Sequence, residues 1–227
     1  MAQYLWKSMS SGLKSDYDQS QWAIGIWRVV EPPQKERTGL NTSKRIIDAM
    51  TYVDMEILAE VEAGGRILKS SDHWTCEKMR IIKAWKWRKE DSVELAFYAS
   101  GLVFDRFKKQ WPKGKRATEA IDLGWKWFEN PLDRVSRGMV GAAMAMVPEA
   151  EKAGTAAVLS VTAAGSCLSA AAGPKEAARL AVTAVVAAQA ASAWTMTGKI
   201  ILDKCEAFIR RRIKTLEEIY SPERKLV

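Results

Sequence analysis

The hydrophobic period of this chain changes near residue 90, and that change fixes the class of fold it can adopt. Before the change, apolar residues recur at every second position. In "KMRIIKAWKW" (78–87), Met79, Ile81, Trp85 and Trp87 share one parity, while Arg80, Lys86 and the following Arg88 share the other. A period of two puts alternate side chains on opposite faces of a strand, so this segment is expected to be a half-buried strand with its tryptophans inward. "IGIWRVV" (24–30) and "MEILAEVEAGG" (55–65) are expected to be strands on the same grounds. "EAGGR" (62–66) reads as a hairpin turn, and the prolines of "EPPQKERTG" (31–39) mark a loop. In "NTSKRIIDAMTYV" (41–53), Asn41 or Thr42 is placed to cap a short helix with Ile46, Ile47 and Met50 inward.

After residue 90 the period becomes helical. Asp91-Ser92-Val93-Glu94 has the form of a capping box. Val93, Ala96, Phe97, Ser100, Val103, Phe104 and Phe107 then trace one face of a helix that should run to Pro112 and Gly114. Further helices are expected over 117–128, within 132–173, over 175–197 behind Pro174, and over 199–220 ahead of Pro222. The last is amphipathic through Ile201, Cys205, Phe208, Ile209, Leu216 and Ile219. The expected fold is α+β: a small strand-rich α/β module over 1–90, followed by an alanine-rich helical bundle over 91–227.

Alanine gives the second half its character. It fills eleven of the twenty-seven positions from 166 to 192. Two uncharged runs, 153–174 and 180–198, approach the ~20 residues that cross a bilayer. Their alanine, serine, threonine and glycine lack the insertion energy of Leu, Ile, Phe and Val, so a membrane hairpin is not expected. Alanine instead favours helix and lets helices approach closely. The runs are therefore expected at a bundle centre or a self-association surface.

The charges point to acidic partners and the side-chain inventory argues against a reaction centre. The net charge is +8 over 227 residues, spread through short clusters such as 86–89, 113–116 and 210–212. The one histidine, His73, lies in "SSDHWTCEK" and reads as a surface or turn residue. Cys76, Cys167 and Cys205 have no metal or redox spacing and suit a reducing compartment. Asp16 and Asp18 read as members of a polar loop. The Trp-basic segments "KAWKWRK" (83–89) and "GWKWFEN" (124–130) could stack bases, but inward tryptophans in the first would remove the platform. No secretory signal is seen at the N-terminus. No cofactor and no metal are expected.

One segment carries a resemblance. In "VELAFYASGLVFDRFKKQWPKGKRATEAIDLGWKWF" (93–128), an apolar helix ends in Phe107 and is followed by Trp111-Pro112, Arg116, then Glu119-Ala120-Ile121 and Trp127. This pattern, with alanine-rich helices after it, resembles the alanine-rich immunity proteins encoded beside bacterial polymorphic toxins. Residues 12–28, 43–53, 56–65 and 77–96 resemble a module of uncharacterised phage and bacterial proteins with the same helical tail. Such modules often read Gly-Phe-His-Ala-Ser where this chain has Gly39-Leu40-Asn41-Thr42-Ser43. That order is similar to ADP-ribosyltransferase-like folds. Here Asn41 replaces the histidine, and Glu60 or Glu62 would have to be the acid.

The resemblance and the missing catalytic constellation together imply a non-enzymatic protein-interaction protein of phage or bacterial conflict systems. Its partner would be a toxin, a host protein or a virion protein. The alternatives are a self-assembling component of a phage particle, a basic nucleic-acid-binding protein, and a degenerate ADP-ribosyltransferase-like module. A homo-oligomer is compatible with the alanine surfaces. The expected location is the cytoplasm of a bacterial host, or the virion. Arg80, Lys86, Arg88, Arg210 and Arg211 are the candidate binding residues.

Overall fold

The computed structural model describes residues 4–15, 18–35, 38–51, 55–110, 174–192 and 198–219. The fold is α+β, with a six-stranded sheet in the N-terminal part and helices after it. The chain divides into two compact units, Met1–Trp87 with Arg211–Val227, and Arg88–Arg210.

In the first unit, β4 (Ile57–Lys69) and β5 (Trp74–Lys86) form a long antiparallel hairpin. β1 (Tyr4–Met9) pairs with the other edge of β4. The free edge of β5 is covered in pieces: β3 (Leu40–Thr42) at Trp74–Cys76, β2 (Arg28–Val29) at Lys78–Met79, and β6 (Glu218–Ile219) at Ala84–Trp85. Ser43, one residue past β3, then exchanges two 2.8 Å backbone hydrogen bonds with Trp6 of β1. The ladder thus returns to its starting strand, and the sheet curls round an apolar interior of Leu5, Met9, Leu40, Val61, Cys76, Met79 and Ile81. Curling removes much of the open strand edge that a flat sheet would expose.

Two irregularities explain where alternation along the sequence misleads. The register shifts at Glu60/Val61, where Glu60 pairs with Lys83 and Val61 with Ile81, so Ile82 is an extra residue. An extra residue inverts the parity beyond it. Met79, Ile81 and Ala84 therefore share the interior, while Trp85 projects on the side of Trp6, with ring centroids 6.1 Å apart. Trp85 and Trp87 are buried as expected, but Trp85 is not on the face of Met79 and Ile81. The second shift, between Gly64 and Ile67, lies where a hairpin turn is expected from the sequence. β4 runs through it, and the chain reverses at Ser70–His73 instead, where Ser70 N–H donates to the His73 carbonyl at 2.9 Å. Gly65 absorbs the bulge with φ +71°, and the Glu77 carboxylate accepts the Arg66 N–H at 2.9 Å.

The short helix α1 (Ile46–Thr51) buries Ile46, Ile47, Ala49 and Met50 and packs against β1. Asn41 and Thr42 do not cap it. Both lie in β3, where Asn41 Oδ1 accepts from Thr75 and Thr42 donates to the Trp6 carbonyl.

In the second unit, α2 (Lys89–Gly101) begins ahead of the sequence-predicted box. Asp91 is the third helical residue and reaches back to accept the Arg88 N–H at 2.8 Å, satisfying one of the orphan donors of the first turn. The helix does not continue to Pro112. It closes at Leu102–Val103 and restarts as α3 (Phe104–Gln110). α4 (Pro174–Ser192) packs on α2, and it buries Ala177, Ala181, Ala184, Val185 and Ala188 among others. α5 (Gly198–Ile213) buries Ile201, Leu202, Cys205 and Ile209, and Phe208 stacks on Tyr98 at 4.5 Å. It ends before residue 220, because the chain turns at 214–216 and joins the first unit's sheet as β6. The helices expected over 117–128 and 132–173 lie outside the described residues.

Candidate functional site

On the described surface of the first unit, a short exposed apolar stretch of the chain runs beside two cations of β5. Ile26, Trp27 and Val29 are 60%, 36% and 63% exposed. Val30 N–H donates to the Glu77 carbonyl, so that pair is hydrogen-bonded across the ladder. The neighbouring Val29–Lys78 pair is then of the non-bonded type. In an antiparallel ladder this turns the Val29 N–H and C=O away from β5, toward the open side of β2. Val29 thus offers both backbone groups and an exposed side chain at one point.

Trp27 settles on the same face. The Arg80 guanidinium lies 4.9 Å from its ring centroid and the Lys78 ammonium 5.3 Å. Arg80 also binds Glu62, through Nε at 2.7 Å. Gly64 makes the packing close: a Cβ there would meet Lys78 Cε at 2.9 Å and lie 3.6 Å from Trp27. Two cations on one indole, with a single carboxylate beside them, make an electropositive apolar platform.

The five basic residues expected from the sequence divide between the two units, Arg80, Lys86 and Arg211 in the first and Arg88 and Arg210 in the second. Arg80 belongs to the platform. Lys86 lies further along β5, with Nζ 4.0 Å from Glu217. Arg88 starts α2 and pairs with the buried Asp91 at 3.3 Å. Arg210 pairs with Glu206 one helical turn back, at 2.9 Å, and Arg211 is exposed on α5. Such ion pairs partly neutralise the cations that carry them.

The interior face of the sheet holds a second polar group. Lys7, opposite Ala59 and between Leu5 and Met9, donates to the Asn41 carbonyl at 3.1 Å. Its Nζ lies 5.6 Å from the Trp22 ring, which Arg28 approaches to 5.1 Å. Burial lowers the Lys7 ammonium from 10.5 to about 8, with Arg28 pushing the same way against Cys76 and Asp18. Arg28 is held by Ser20 and by Asp18 at 2.8 Å. Hydrogen bonds from Ser20, aided by Arg28, keep the Asp18 carboxyl well below the usual range. Asp18 is thus a loop residue with a structural partner, and Asp16 lies outside the described residues.

Other sequence candidates are placed plainly. His73 is in the β4–β5 turn but buried, with Nδ1 3.0 Å from Asp72. Glu62 is tied to Arg80, and Asn41 to Thr75. Cys76 and Cys205 are buried free thiols, each pushed up to about 12 by burial. Cys167 lies outside the described residues. Among the described residues no His, Cys, Asp and Glu group could hold a metal ion, and no helix is long and apolar enough to cross a membrane. Sequence reasoning passed over Lys7, Trp27, Arg28 and Lys78. Lys7 carries a signal, a lone cation between Leu5 and Met9 at the same parity in "YLWKSM". Comparison with protein families, with curated proteins and with solved structures finds no match to this chain.

Proposed function

We propose that the protein works by binding an acidic protein partner, and that the Trp27 platform is the contact. The observation that carries this is the exposure of Ile26, Trp27 and Val29 beside Lys78 and Arg80, at a strand edge with outward backbone groups. Aromatic and arginine anchors dominate binding energy in protein interfaces. The cations select for acid and would raise the association rate. The net charge of +8 acts in the same sense. The resemblance over 93–128 to alanine-rich immunity proteins would make that partner a toxin, occluded on binding.

The test uses the full chain and a Trp27→Ala, Arg80→Glu variant, each immobilised and exposed to nuclease-treated host extract. The reading expects an acidic protein, retained at fixed stoichiometry by the wild type, to be lost from the variant. Equal retention by both chains would remove the platform from the account. Retention from untreated extract that disappears in the nuclease-treated extract would move the function to nucleic acid.

A further inference from the structure

Among the described residues, β2 pairs with β5 and with no other strand. Val29 sits in the non-bonded pair with Lys78, so its N–H and C=O both point away from β5. No described residue bonds to either group. A residue turned outward in this way presents one half of a bonded antiparallel pair. The Val29 side chain is exposed, and Trp27 stands two residues back on the same side. Lys78, opposite Val29, is exposed too, and it forms no ion pair with a described carboxylate. Its neighbour on β4 is Gly64, which has no side chain to offer it. Arg80, the other cation against Trp27, is already held by Glu62. Pro32 and Pro33 follow β2 and lack the N–H groups that would continue the edge.

Resting on the binding reading above, we propose that the acidic partner docks as a short extended segment that adds to β2 as an antiparallel strand. One residue of that segment exchanges two backbone hydrogen bonds with Val29. Its side chain lies on the face of Val29 and Lys78, because paired residues of neighbouring strands share a face. Two strand spacings, about 9.6 Å, separate it from Lys78 at the backbone, a gap that a carboxylate and a lysine reaching over the short valine can close. Two residues further on, the segment comes opposite Trp27, where an apolar side chain is favoured. The recognised pattern is therefore an acid, any residue, then an apolar residue. Strand addition draws affinity from the main chain and specificity from alternate side chains. A second copy of this chain is the poorer occupant, since it would set valine opposite valine with cations on both sides of the seam and no acid for Lys78.

A random peptide library is selected on the immobilised full chain, and the enriched peptides are measured by fluorescence anisotropy. They should share an acid two positions before an apolar residue. Methylating each backbone nitrogen of a binder in turn should weaken it roughly tenfold at the acidic residue and little at either neighbour, because only the former N–H meets the Val29 carbonyl. Val29→Pro removes the outward N–H and no bond of the β2–β5 ladder, and should weaken binding by a similar factor. Val29→Thr keeps that N–H and should bind within about threefold of wild type. The methylation scan uses the wild-type chain alone, so it decides independently of how the proline variant folds. Binders that show no such alternation and ignore Val29→Pro, yet are lost on Trp27→Ala, would overturn strand addition and leave the binding reading standing. A library that yields no acidic binder sensitive to Trp27→Ala would overturn both.

Discussion

Replacing Lys7 by methionine should stabilise the protein near neutral pH and lose that advantage in alkali. The lowered ammonium means that the folded chain holds the Lys7 proton less tightly than the unfolded chain does. Lys7 therefore subtracts from stability below about pH 8, and its penalty shrinks as pH rises from about 8 toward 10.5. Near pH 7 that penalty is about 3 kcal/mol; near pH 10 it is under about 1 kcal/mol. Methionine removes the penalty and fills the same space, but it forfeits the bond to the Asn41 carbonyl, worth about 1 kcal/mol. The Lys7→Met chain should thus gain about 2 kcal/mol near pH 7 and close to nothing near pH 10. Urea denaturation of both chains at both pH values, followed by tryptophan fluorescence, gives the difference directly. Titrating groups that do not face Lys7 are common to the two chains and cancel, and Cys76, which does face it, stays protonated across this range in the folded chain, pushed up to about 12 by burial. A difference that stays constant between the two pH values, or a variant less stable than wild type near pH 7, would refute the reasoning.

Other substitutions probe the frame that holds these sites. Gly65→Ala should destabilise by about 1–2 kcal/mol from its positive φ alone, plus the displacement of Glu77, whose Cβ would lie 2.8 Å from the new methyl. Gly12→Ala has a similar φ of +71° but open space, so its denaturation midpoint should fall by the backbone share only. Ala184→Leu should cost about 1–3 kcal/mol in thermal or urea unfolding, because Ala184 is fully buried on α4 and the larger side chain has to be accommodated by shifting its neighbours. The exposed Ala190→Leu on the same helix should change stability by less than about 0.5 kcal/mol.

The class of fold was legible because it depends on period, and period survives local irregularity. The switch near residue 90 separates most of the sheet from the longer helices, and the three residues expected on the inner face of α1, Ile46, Ile47 and Met50, are all buried, together with Ala49. Finer placement failed where a single residue decides. An extra residue at Ile82 reverses which side Trp85 faces, and no side-chain type announces it. Gly64-Gly65 looks the same in sequence whether it turns a chain or bulges a strand. β1 and β3 were missed because a lysine and an asparagine interrupt their apolar pattern, and both residues are held by tertiary partners instead. β6 was absorbed into a helix because Leu216 and Ile219 continue the helical spacing, while pairing with β5 is a long-range event. The platform shows the same limit. Trp27, Lys78 and Arg80 are far apart in sequence and meet only because β2 docks on β5.

The most direct test of the binding account is a photo-crosslinking residue placed at Val29 and, separately, at Val186, both exposed. Irradiated in host cells, the Val29 chain should form one discrete adduct with an acidic protein, suppressed when Trp27 is also changed to alanine, and the Val186 chain should not form it. The same adduct from both positions, or a Val29 adduct indifferent to Trp27, would contradict the claim that this strand edge and its tryptophan are where the protein meets its partner.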